Sequence, residues 1–180
     1  MQAHVKAFFD KYTSEAIEAA KGSPIFPETI LAAAAVESNW GRSGLTTKAN
    51  NFFGIKAGSS WKGETILMDT REEDKQGNSY YIKAPFRKYP SAKECFKNYV
   101  AVVTMQRYIN AGVAKATDPQ EQIAAIKKGG YATDSKYTNT LSSIVDTYGG
   151  YIASFIKNNP GAAAATGTIA TALVFFCSLS

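Results

Sequence analysis

Apolar positions recur along most of this chain at the spacing of helical turns, and in one central region at the two-residue spacing of a strand. Val5, Phe8, Phe9, Tyr12 and Ile17 form the buried stripe of a first helix that ends near Gly22 and Pro24. Pro27 suits the first turn of a second helix running to about Asn39, which places Ile30, Ala33, Ala34 and Glu37 on one stripe. Trp61 to Thr70 and Ser79 to Lys83 carry β-branched and aromatic residues around the polar run Arg71 to Asn78, predicting a hairpin with a charged tip. Ser91 with Glu94 makes a capping box for a helix through Phe96, Tyr99, Val100 and Val103. Asp118, Pro119 and Glu121 open a short helix that reaches Lys128. Asp134 is expected to cap a last long helix burying Tyr137, Leu141, Ile144, Val145 and Tyr148, which Gly149 and Gly150 interrupt or cap. Helices, one hairpin and helices again predict a mostly helical α+β fold, with the hairpin as one wall of a cleft.

Composition sharpens that picture mainly by exclusion. A chain of 180 residues is long enough for one domain with a proper core and an appendage. Asn158, Asn159, Pro160 and Gly161 mark the boundary, giving a domain over 1–158 and a tail over 159–180. The tail has no charge from Gly161 onward and is strongly apolar from Ile169 to Leu179, which is marginal beside the roughly 20 residues a span needs. It reads either as a C-terminal membrane anchor or as a helix for a partner or an appended segment foreign to the fold. No secretory leader is visible at the start. The excess of 20 Lys and Arg over 15 Asp and Glu gives +5, suited to polyanions, but the basic residues are scattered and carry no nucleic-acid motif. With two cysteines, Cys95 and Cys177, no disulfide framework is expected, and Cys95 reads as core filler. His4 is the single histidine, so neither a Ser-His-Asp triad nor a histidine metal site can be assembled. No cofactor or metal is expected.

The stretch Ala32 to Trp40, AAAAVESNW, strands one carboxylate among small apolar residues. On the predicted stripe Glu37 would lie on the buried face and in the last helical turn, where desolvation and the negative end of the dipole both favour its protonated form. A carboxylic acid neutral near physiological pH can act as a general acid. The plainer reading is a surface glutamate on an ordinary amphipathic helix, and spacing alone leaves both open.

The motifs around it decide further. E-S-N-W-G-R-S from Glu37, N-F-F-G-I-K from Asn51, A-P-F-R-K-Y from Ala84 and G-G-Y-A-T-D from Gly129 resemble, in order, the glucosaminidase domain of glycoside hydrolase family 73. This family comprises bacterial and phage peptidoglycan hydrolases, and the resemblance spans roughly Phe8 to Tyr151. One departure is Phe52, where the family more often has leucine.

The resemblance implies a lysozyme-like fold with Glu37 on the cleft floor as catalytic acid. It also implies cleavage of the β-1,4 bond between N-acetylglucosamine and N-acetylmuramic acid in peptidoglycan, at the extracytoplasmic wall. The candidates for a second carboxylate are Asp69, Glu72, Glu73 and Asp74 on the hairpin, and the family's Thr-x-Glu element, matched by Thr70, Arg71 and Glu72, implies Glu72. The substrate's own acetamido group is another nucleophile that glycosidases use, and the sequence leaves retaining, inverting and assisted routes open. A charged hairpin tip that is merely solvated is the alternative for Glu72. Tyr131, in the G-Y-A-T-D block, is expected to reach the cleaved linkage or a catalytic water. Trp40, Phe53 and Tyr137 are candidates for stacking on sugar faces, and Asn51 for contact with an acetamide, although Asn50 and Asn51 also suit a plain turn. Phe86 reads as core and Arg87 as a buried or bridging cation. A muramidase or lytic transglycosylase on the same fold is the neighbouring reading. A wall-binding component of a phage or secretion machine that has lost catalysis is the distant one.

Overall fold

The computed structural model describes residues 1–73, 76–132 and 134–159, with the backbone alone for Glu72 and Glu73. The expected tail beyond 159 lies outside the described residues. Seven α-helices and one hairpin lie among them, the five predicted helices and the hairpin in the predicted order and two short helices, α3 and α5, that the sequence pattern does not mark: α1 (Ala3–Ala20), α2 (Pro27–Glu37), α3 (Gly44–Ala49), β1 (Thr65–Glu73), β2 (Ser79–Arg87), α4 (Ala92–Val103), α5 (Gln106–Ala111), α6 (Pro119–Lys128) and α7 (Tyr137–Asn158).

The central element is α2. Periodicity predicts one buried stripe, yet Ile30 to Ala35 are buried without a break, so Ala32 and Ala35 face protein as well. Alanines make this possible, since their small side chains let α1, α4, α6 and α7 all pack against the same short helix. Burying Ile30 and Leu31 fully contributes roughly 1.5–3 kcal/mol each before entropy is charged against it. Gln122, fully buried in α6, secures the entry to α2: its amide accepts from the Phe26 N–H at 2.9 Å and donates to the Pro24 carbonyl at 2.7 Å.

Local capping follows the sequence closely. The Ser91 hydroxyl accepts from the Glu94 N–H at 3.3 Å, and Asp118 accepts from the Glu121 N–H at 2.8 Å. Two expectations change. Asp134 bonds the Lys136 N–H at 2.9 Å and so shapes the turn before α7 instead of capping it. The helix then runs straight through Gly149 and Gly150 to Asn158, because its buried positions Leu141, Val145 and Ile152 continue the stripe on both sides of the glycines.

β1 and β2 pair antiparallel from Thr65 opposite Arg87 to Glu73 opposite Ser79. Trp61 falls before the strand, its indole N–H donating to the Glu64 carbonyl at 2.9 Å. The base of the hairpin is anchored by buried Ala84 and Phe86 and by the Ala57 N–H on the Pro85 carbonyl at 2.8 Å. Its outer half, with Tyr80, Tyr81 and Ile82, is exposed.

Candidate active site

Glu37 is the final residue of α2. The chain leaves the helix there through three consecutive residues in the left-handed region, Asn39 (φ 51°), Trp40 (φ 58°) and Gly41 (φ 75°). Two of these are not glycine, a conformation costing about 1–2 kcal/mol each, so surrounding bonds must hold it. The buried Ser38 hydroxyl does much of that, donating to the Ala34 carbonyl at 2.5 Å and accepting from the Gly41 N–H at 2.7 Å. The Trp40 ring adds edge contacts to Phe8 at 5.7 Å, Phe9 at 5.9 Å and Tyr148 at 5.8 Å.

The helix therefore stops abruptly, and Glu37 projects from its end. It is exposed, where the stripe predicts burial, because α2 has no further turn with which to cover it. Protein atoms around the carboxyl nevertheless desolvate it and raise its pKa above the ordinary glutamate value, with no hydrogen bond or ion pair among the causes. The open flank lets solvent screen part of that effect.

In front of Glu37 lies a groove of about 430 Å³ lined by Val36, Glu37, Tyr131, Ala132, Asp134, Tyr137, Thr140 and Leu141. It is formed by the end of α2, the loop after α6 and the start of α7. Three sequence-derived candidates, Glu37, Tyr131 and Tyr137, come together here. Burial pushes both phenols well up, and Glu37 adds to the shift, so each keeps its hydrogen near neutral pH and can act as a donor.

Other candidates are placed elsewhere. Asn51 is buried, its amide donating to the carbonyls of Ile55 and Arg87 and accepting from the Ile55 N–H at 3.0 Å, which leaves no donor for an acetamide. Phe53 is buried and stacks on Tyr99 with centroids 4.2 Å apart, so its face is already covered. Trp40 packs among α1 and α7 aromatics and does not line the groove. Glu72 has its backbone in β1 opposite Tyr80, and its side chain lies outside the described residues. Phe86 is core, and Arg87 bridges, donating to Asn98 at 2.9 Å with its guanidinium 4.7 Å over the Trp61 ring. Cys95 is buried and its thiol is pushed up to about 12 by desolvation, the state of a packing residue and not of a nucleophile. Tyr99, fully buried behind Tyr131, carries a hydroxyl near Glu37 that helical spacing had marked simply as core.

A helical α+β domain with a desolvated carboxyl on an open groove, flanked by neutral phenols, fits the lysozyme-like glycoside hydrolase that the resemblance implies. The glucosaminidase family model, described as mannosyl-glycoprotein endo-beta-N-acetylglucosaminidase, matches residues 13–150. The exo-glucosaminidase LytG of Bacillus subtilis is 32% identical over 152 residues, covering 82% of this chain and 49% of its own length. The peptidoglycan hydrolase FlgJ of Salmonella typhimurium is 35% identical over 145 residues, covering 78% and 45%. The chain thus spans about half the length of the curated relatives it matches. Among solved structures, the catalytic domain of the autolysin Auto from Listeria monocytogenes superposes with a TM-score of 0.74 at 29% identity, covering 83% of this chain and 86% of that one. The glycoside hydrolase domain of Salmonella typhimurium FlgJ gives 0.71 at 31% identity, covering 89% and 97%. The chain belongs to the glucosaminidase family, glycoside hydrolase family 73.

Proposed function

We propose that this chain is an endo-β-N-acetylglucosaminidase that cleaves the β-1,4 bond between N-acetylglucosamine and N-acetylmuramic acid in peptidoglycan, with Glu37 as the general acid. The observation that carries this reading is a single desolvated carboxyl at the end of α2, on a groove it shares with Tyr131 and Tyr137. Glu37 protonates the leaving oxygen. Tyr131, half-buried and held edge-on to Tyr99 at 5.4 Å, offers a fixed neutral hydroxyl beside the reacting centre, and Tyr137 lines the sugar site. Glu72 serves as the second carboxylate. Its place on a strand of the projecting hairpin, within Thr70-Arg71-Glu72, supports that role.

Residues 1–158 form the catalytic domain in this reading, and 159–180 a linker and apolar tail that attaches the enzyme to a membrane while it works on the wall. The end of α7 at Asn158 supports the division. No helix among the described residues is long and apolar enough to cross a membrane.

Mass spectrometry of digested peptidoglycan tests the assignment. Fragments with reducing N-acetylglucosamine ends, released internally from long strands, are the expected products. Reducing muramic acid ends or anhydro sugars would make the chain a muramidase or transglycosylase instead. Release of terminal sugars alone would make it an exo-enzyme.

A further inference from the structure

Two buried hydroxyls beneath the groove have no hydrogen-bond partner: those of Tyr99 in α4 and Tyr137 in α7. Among the described residues four buried side-chain polar atoms lack a partner, and these two lie next to one another. An unsatisfied buried hydroxyl costs stability, and phenylalanine would fill either space without that cost. Neither ring is free to swing away. Tyr99 is stacked on Phe53 at 4.2 Å and held edge-on by Tyr131 at 5.4 Å, while Tyr137 is 5% exposed and lies 6.0 Å from the Tyr131 ring. The two hydroxyls are close enough to interact, and Tyr137 helps to raise the Tyr99 phenol, yet neither makes a hydrogen bond in the resting geometry. Tyr137 shares the lining of the groove with Glu37.

We propose that the Tyr137 hydroxyl is the donor that receives the negative charge left on Glu37 when its proton passes to the glycosidic oxygen. Tyr99 is a positioning residue: as charge develops on Glu37, its O–H comes to donate to the Tyr137 oxygen and so turns the Tyr137 hydrogen toward Glu37. This rests on Glu37 as general acid.

The bookkeeping closes without moving a proton off either tyrosine. As the glycosidic C–O bond breaks, the leaving oxygen takes the Glu37 proton, and the new carboxylate accepts from Tyr137. The bond ends when the hydroxyl of water is bonded to the anomeric carbon and the proton which that water gives up restores the Glu37 acid. Donors idle in the resting enzyme and engaged once charge develops stabilise the transition state selectively. Burial and the neighbouring Glu37 push both phenols well up, so the hydrogens remain in place. The other polar groups that line the groove with Glu37 are Tyr131, the rival donor, Asp134 and Thr140.

The full chain and its Tyr99→Phe, Tyr137→Phe, Tyr131→Phe and Glu37→Gln variants would be compared on peptidoglycan for kcat, KM, pH profile and melting temperature. Tyr137→Phe should lower kcat by roughly 10- to 100-fold, the scale of a hydrogen bond to a charged group, with KM unchanged. Tyr99→Phe should lower it several-fold, and should have no further effect once Tyr137 is phenylalanine. Both should move the basic limb upward, because an unassisted carboxylate holds its proton to higher pH. Neither should lower the melting temperature, since the deleted hydroxyls bond nothing. Wild-type kcat and basic limb in Tyr99→Phe would overturn the inference, as would a loss of kcat matched by lost stability, or a limb that moves for Tyr131→Phe alone. Full activity of Glu37→Gln would instead remove the general-acid reading itself.

Discussion

The Asn51 amide donates to the Arg87 carbonyl across 2.8 Å, tying the turn after α3 to the last residue of β2. With its further bonds to Ile55, this side chain is a joint between the helical body and the hairpin. Asn51→Ala should therefore remove three hydrogen bonds to the backbone and cost about 2–3 kcal/mol in urea unfolding, at roughly 1 kcal/mol per bond. KM of the folded fraction should stay at the wild-type value. A raised KM with unchanged stability would return Asn51 to the sugar.

Glu37→Gln should leave the melting temperature near that of the wild type, since the carboxyl accepts no bond that stabilises it. Turnover of wall material should drop at least ~100-fold, the lower scale for removal of a general acid. The wild-type pH profile carries the corresponding sign. A raised pKa keeps Glu37 protonated above the ordinary glutamate range, so activity should persist there and fall as pH rises through the shifted value.

Trp40→Ala should act on the fold. The ring packs edge-on against Phe8, Phe9 and Tyr148, joining α1 and α7 to the left-handed turn behind Glu37. Loss of about 3 kcal/mol is expected, near the lower end for large-to-small aromatic truncation because the residue is half-buried. Chemical denaturation measures this directly, and a weakened KM without lost stability would contradict it.

Glu28→Gln should stabilise the protein. Burial raises the Glu28 pKa, and one of its carboxyl oxygens is buried without a partner. For an acid shifted upward, the folded state is favoured below the unfolded pKa and loses stability as pH rises through the folded value. The neutral amide avoids that loss. A gain of about 1 kcal/mol near neutral pH should shrink toward zero below the ordinary glutamate pKa, as paired unfolding curves would reveal.

Local physics made much of this molecule legible in advance. Pro27, Ser91, Asp118 and Pro119 mark helix starts because capping and a fixed φ act within one turn of chain. The hairpin is likewise written in its own residues, although its polar run begins inside β1, and residues 74 and 75 of the expected charged tip lie outside the described residues. The motifs around Glu37 and Tyr131 named a family whose model and relatives match the chain.

What only the packed structure decided concerns neighbours distant in sequence. Periodicity could not distinguish a helix covered on one face from α2, which is covered on nearly all of them, because coverage depends on how closely four other helices approach. Nor could residue type tell whether an aromatic or an asparagine is free for a ligand. Asn51 and Phe53 have the right chemistry for a sugar but are engaged by Arg87 and Tyr99, residues that folding alone brings to them. The sequence by itself determined the five longer helices, the hairpin and the family, and singled out Glu37 as the candidate acid, since each is carried by residues close together along the chain. The exposure of Glu37, the groove it shares with Tyr131 and Tyr137, and the unpaired hydroxyls beneath it arise where separate elements meet, and that meeting has no local code.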